Sequence, residues 1–200
     1  MEVICDGVWQ ESGPPVRMAG GVKVPSRSTV LQLTSGELVV YSPIAHMPGV
    51  DTFGRVAHIV EPNRLHHLFV AAARERWPDA TLHQREFQRV DPSIDALHIA
   101  GVPKIDEVVL FHRPSGTLVV ADLFFNMVAQ NAISRIAFAI TGVGGNRVAQ
   151  SREWRWACKD KAAARGAMER VLAWPIQRVA FCHGEPVAID SAKLAALLRI

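Results

Sequence analysis

Residues 106–126, DEVVLFHRPSGTLVVADLFFN, hold two runs of strongly β-forming side chains that meet at Pro114, Ser115 and Gly116, residues suited to a tight reversal. The spacing predicts an antiparallel hairpin, and its apolar runs predict that the hairpin is largely buried. The second run stops abruptly at Asp122. A carboxylate directly after such a run is costly unless it is ion-paired, hydrogen-bonded or bound to a cation. Asp122 therefore needs a partner, for which Arg113, Arg135 and a metal ion are all candidates.

The other segments add strands and helices around this hairpin. STVLQLTSGELVVYSPI (28–44) predicts a further antiparallel pair turning at Ser35 and Gly36. GRVAHIVEPN (54–63) reads as a strand closed by Pro62. Asn63 is then expected to cap a helix with Leu65, Leu68, Phe69 and Ala72 on one face, ending before Pro78. DATLHQREF reads as another strand, whereas DPSIDALHIAG is turn-rich and takes no clear assignment. A buried helix is expected over 127–140, ended by GVGG, then a helix in DKAAARGAMERVLAW, a buried strand in QRVAFC and a last helix capped by Asp190 or Ser191. The class is α/β, and 200 residues at 49% hydrophobic suit a single domain.

Several function classes lose support. The most apolar stretch, from 116 to 145, is interrupted by Asp122, Asn126, Gln130, Asn131 and Arg135, too polar to cross a bilayer. No membrane partner is expected from it. The opening MEVICDGVWQESGPP has acids and prolines where a secretion signal needs basic and apolar regions, so a cytoplasmic location is expected. Cys5, Cys158 and Cys182 form no metal-type or disulfide pattern and read as reduced thiols. A net charge of +3 comes without a lysine or arginine run, so nucleic acid binding is not expected.

Three strand-like runs finish in residues able to bind a divalent cation: His66 and His67 after AHIVEPN, Asp122 after TLVVA, and His183 after RVAFC. In sheets flanked by helices, ligands gather beyond the carboxyl ends of strands, so distant segments can converge on one point. A histidine in the first turn of the expected helix is held neutral by the helix dipole, the form that coordinates metal. Gly184 after His183 lets backbone approach closely. Two imidazoles and a carboxylate suit a three-ligand zinc site with one open position.

Taken together, ELVVYSPI, VEPNRLHHLF, VVLFHRPSGTLVVADLFFN and RVAFCHGEPV resemble an uncharacterised conserved-domain family distantly related to the metallo-β-lactamase-like hydrolases, over roughly residues 28–190. The resemblance implies an αββα four-layer sandwich. It also implies a degenerate form of the His-x-His-x-Asp-His motif, in which Pro62 and Arg64 stand where the two leading histidines belong and His66 and His67 fall on the Asp-His pair. Asp122 matches the strand-end aspartate and His183 the last histidine. The surviving positions are those of one metal site, with either His66 or His67 as its first histidine. His112 and Asn126 are expected around that site rather than among its ligands.

The function implied is a mononuclear metal-dependent hydrolase of a small ester, thioester, amide or phosphoester, in which metal-activated water replaces a nucleophilic side chain. Zinc is the first expectation for the metal, with iron or manganese as alternatives. The competing reading is a pseudoenzyme or metabolite- or partner-binding protein with a stripped, metal-free site. The expected partner is a small-molecule substrate or ligand, and the sequence is compatible with a homo-oligomer.

Overall fold

The computed structural model describes residues 1–88 and 90–198. One sheet runs in the order β1-β2-β3-β4-β5-β6, from β1 (Glu2–Cys5), β2 (Val8–Arg17), β3 (Lys23–Gln32), β4 (Leu38–Tyr41), β5 (Val56–Glu61) and β6 (Thr81–Gln84). The second, β11-β10-β9-β8-β7, contains β7 (Ile94–His98), β8 (Val108–His112), β9 (Thr117–Val120), β10 (Arg178–Phe181) and β11 (Val187–Ala188). The helices are α1 (Val70–Arg76), α2 (Ala132–Thr141), α3 (Arg152–Ala157), α4 (Lys161–Leu172) and α5 (Ser191–Ala195).

Alternation along the strands builds the layers, because successive side chains point to opposite faces. Leu31, Val39, Tyr41 and Val60 of the first sheet meet Leu110, Val119 and Ala180 of the second, forming the inter-sheet core. Their neighbours Val30, Leu38, Val40 and Ile59 point outward, under Ala73 of α1 and the adjoining Trp77. On the second sheet Phe111, Val120 and Phe181 point outward, under Trp154 of α3, Met168 and Val171 of α4, and Leu194 of α5. The result is helix, sheet, sheet, helix, the αββα sandwich that the resemblance implies.

Both expected hairpins form, as β3–β4 and β8–β9, and the turn-rich stretch without an assignment contains β7, antiparallel to β8. Strands β1 and β2 are additional to the expected elements; β2 accommodates Gly13, Pro14 and Pro15, residues that disfavour a strand, at a bulge between Gly13 and Val16.

Two helix expectations change. Asn63 caps no helix: its Oδ1 accepts the N–H of Leu65 at 2.8 Å, making a local turn, and α1 starts only at Val70. Leu65 and Leu68 are consequently exposed rather than packed. Helix α2 begins at Ala132, where Asn131 caps the Ser134 N–H at 2.7 Å, and it exposes Ile133, Ile136 and Ile140 instead of being buried. Gly142 ends it in the left-handed conformation, as the GVGG segment predicts.

Candidate metal centre

Parallel pairing of β9 with β10 sets Val120 beside Phe181, so the next two residues of each strand end, Asp122 and His183, emerge side by side. Strand β5 of the other sheet delivers the 62–69 turn to the same end, and with it His66. The Nε2 atoms of His66 and His183 are 3.2 Å apart. Asp122 reaches the first with Oδ2 at 3.3 Å and the second with Oδ1 at 3.6 Å. Among the described residues, these three form the group of histidine, cysteine and acidic side chains able to share a metal ion.

Their outer contacts decide which atoms face the centre. His183 Nδ1 lies 2.6 Å from the Pro25 carbonyl, which can only accept, so Nδ1 carries the proton and Nε2 is bare. His66 Nδ1 is 2.7 Å from Ser42 Oγ, a hydroxyl that can serve as donor or acceptor and that orients the ring with Nε2 towards the centre. Asn63 Nδ2–H donates to Asp122 Oδ2 at 2.8 Å. Two imidazole Nε2 atoms and a carboxylate thus converge on one point. A tetrahedral ion with bonds of about 2.0–2.1 Å separates its ligands by about 3.3–3.4 Å, so the donor set and its spacing fit a small divalent cation.

Electrostatics points the same way. Burial works to raise the Asp122 pKa, but the charge and hydrogen bond of His66, then His183 and Asn63, hold it at about 2. Burial lowers that of His183, favouring the neutral ring that coordination requires. Behind them Glu107 is fully buried and accepts the backbone N–H groups of Ala121 (2.8 Å) and Asp122 (3.0 Å), fixing the strand end. Burial, then the charge of Asp122, raises Glu107 to about 8.

A pH dependence follows for the metal-free protein. Between about pH 4.5 and 8 the unfolded chain has released a proton that folded Glu107 retains, so stability falls as pH rises, at up to about 1.4 kcal/mol per unit. Asp122 acts oppositely and lower: its contribution is complete above pH 3.8 and lost towards 2. Urea unfolding in chelator across pH 5–8 should give a shallower slope for Glu107→Gln than for the natural chain; equal slopes would remove Glu107 as the cause.

The other expected site residues fall elsewhere. His67 is exposed, with Nδ1 3.0 Å from the Arg64 carbonyl, and takes no part in the cluster. His66 lies in a turn before α1, so the helix-dipole argument does not apply to it. His112 sits at the far end of β8, held by Ser115 Oγ at 2.7 Å and the Gln32 carbonyl at 3.2 Å; it pairs with Thr117, the opposite end of β9 from Asp122. Asn126 supports the His183 segment: its N–H donates to the His183 carbonyl at 3.2 Å and its side chain to the Glu185 carbonyl at 2.9 Å. Phe125 stacks on the His183 ring, centroids 5.9 Å apart. Sequence reasoning missed Ser42, Glu107 and Asn63, ordinary residues whose roles depend on distant partners.

No protein-family model and no curated protein matches the chain. Solved structures do. The metallo-β-lactamase FIM-1 from Pseudomonas aeruginosa, in its mono-zinc form, is 13% identical with a TM-score of 0.63, over 98% of this chain and 92% of that one. A metallo-β-lactamase from Pontibacter korlensis is 15% identical with a TM-score of 0.61, over 96% and 94%. One from Erythrobacter litoralis is 12% identical with a TM-score of 0.57, over 98% and 90%. Identities this low speak to architecture, and with two facing sheets, outer helices and near-complete coverage of both chains, the protein has the metallo-β-lactamase fold.

Proposed function

We propose that this chain is a metallo-β-lactamase-like hydrolase that holds one divalent metal ion, zinc foremost, on His66, Asp122 and His183. The observation carrying this reading is the convergence of two imidazole nitrogens and a carboxylate at 3.2–3.6 Å. An ion of this kind supplies Lewis-acid polarisation of a substrate oxygen and acidifies water at neutral pH. The chain's own residues supply the frame. Ser42 and the Pro25 carbonyl fix ring orientation, Asn63 steadies the carboxylate, and Glu107 anchors the backbone that carries it.

A cavity of about 520 Å³ opens on the cluster, walled by apolar groups that include Val24, Ile44, Phe125, Met127 and Phe138. A neighbouring one of about 330 Å³ shares Asp122 and carries Lys104, Glu153 and Trp156. Such walls suit a largely apolar substrate divided across the centre. Arg27, the buried cation of the larger cavity, is ion-paired with Glu185 and Glu2, and so is not free to neutralise a phosphate. That favours an ester, thioester or amide over a phosphoester.

Elemental analysis of purified protein is the first test. About one metal ion per chain is expected in the natural sequence and in His67→Ala, and none in His66→Ala. Metal-free natural protein after zinc, iron and manganese supplementation would overturn the proposal, and equal loss in His67→Ala would overturn the choice of histidine. Metal-loaded protein should then be screened with apolar esters, thioesters and amides.

A further inference from the structure

Residues 12–36 and 123–152 contain no aspartate or glutamate, and the fold lays these two stretches against each other. The Lys23 N–H donates to Ser134 Oγ at 2.8 Å, Ser134 returns a bond to the Lys23 carbonyl at 3.0 Å, and Asn131 reaches the Gly21 carbonyl at 3.3 Å. One side of α2 there stands bare: Ile133, Ile136 and Ile140, at helical spacing, are 50%, 62% and 61% exposed, beside Met18 at 58%. Arg17, Arg135, Arg147 and Arg152 surround them, also exposed. Among the described residues these four arginines form no ion pair; Arg27, in the first stretch, is paired with Glu185 and Glu2, and Glu153 follows directly after Arg152. The inner side of the same elements, through Val22, Ala137 and Phe138, walls the larger cavity.

We propose that this face docks on an anionic phospholipid bilayer, with α2 lying in the interfacial plane. Exposed isoleucines ringed by unneutralised cations, with no acid in either stretch, match acyl chains below a negatively charged headgroup layer. The same charges argue against a second copy of the chain, because a two-fold dimer pairs the patch with itself and sets like charges face to face. They do not suit nucleic acid either, since three bare isoleucines gain nothing from a phosphate backbone. No helix among the described residues is long and apolar enough to cross a membrane, and adsorption requires none. The expectation of no membrane partner rested on that kind of segment. The proposal is independent of the metal.

The test is co-sedimentation with phosphatidylcholine vesicles, with and without phosphatidylserine, at low and physiological salt. Binding is expected to the phosphatidylserine vesicles, weakening as salt rises. The double variant Ile136→Asp, Ile140→Asp should bind at least ~10-fold more weakly, while its thermal unfolding stays close to that of the natural chain because both positions are exposed. Arg135→Gln should cost about fivefold. Absence of binding at low salt, or equal binding by the isoleucine variant, would overturn the proposal. So would a dimer in solution that the isoleucine variant converts to monomer. Asp122→Asn should bind vesicles unchanged, which separates failure here from failure of the hydrolase reading.

Discussion

Asp122→Asn is expected to abolish the proposed metal binding and to leave the protein folded. The amide has the shape of the carboxylate, so its oxygen can still accept from Asn63 Nδ2, now 2.8 Å from Oδ2. Its NH2, at the Oδ1 position, then faces His183 Nε2 at 3.6 Å, while the amide oxygen keeps the 3.3 Å contact with His66 Nε2. The substitution keeps the shape and the Asn63 bond while removing a buried charge from the metal-free site. The substitution also removes the charge that helps raise Glu107. Stability in chelator should therefore stay within about 1 kcal/mol of the natural chain, and the fall of stability with rising pH should become shallower. Metal affinity should drop by more than the roughly 10–100-fold that loss of an outer partner costs, taking hydrolysis with it. Competitive chelator titration reads the first quantity and denaturant unfolding the second. Undiminished metal affinity in a folded variant would remove Asp122 from the ligand set.

The parts of this site that were legible in the sequence are those written in local chemistry. Asp122 stands out because a carboxylate ends the TLVVA run, and His183 because a histidine ends RVAFC. Each signal is confined to a few consecutive residues and survives without tertiary information. The choice between His66 and His67 was not legible, because it depends on how Pro62 and Asn63 turn the chain. Asn63 has one signature for a helix cap and for a local turn, since in both its side chain accepts a backbone N–H two or three residues on. The structure takes the turn, which aims His66 at Asp122 and leaves His67 on the surface. Helix α2 failed for the converse reason. Its apolar residues are frequent enough to read as core, yet only Ser134 and Phe138 are buried, and composition does not show which side finds a partner. Glu107 and Ser42 had no signal at all; one is an acid ahead of a strand and the other a serine after one, and each matters only because the opposite strand end or sheet arrives beside it.

Gly184 is where the His183 strand end touches the segment carrying Asn126, and Gly184→Ala should cost the protein both stability and metal. Its φ is +134°, a conformation that side chains rarely adopt, and a Cβ there would lie 2.0 Å from the Asn126 carbonyl oxygen. The obstacle is backbone, so no rotamer change relieves it. The two segments must separate, breaking the Asn126 N–H bond to the His183 carbonyl and the Asn126 side-chain bond to the Glu185 carbonyl. Backbone strain of about 1–3 kcal/mol and two hydrogen bonds of about 1 kcal/mol each give a loss of about 3–5 kcal/mol, or roughly 6–20 °C in Tm for a chain of this size. His183 moves with its backbone, so metal affinity falls even in molecules that remain folded. Gly20→Ala isolates the steric part of this argument. Gly20 also has a positive φ, +71°, but a Cβ there meets nothing within 4 Å, so only the conformational cost of about 1–2 kcal/mol applies and metal binding is untouched. Thermal unfolding and metal titration of the two variants should therefore differ in both readouts. Equal destabilisation would show that conformation alone, and not the approach of the Asn126 segment, sets the need for glycine beside His183.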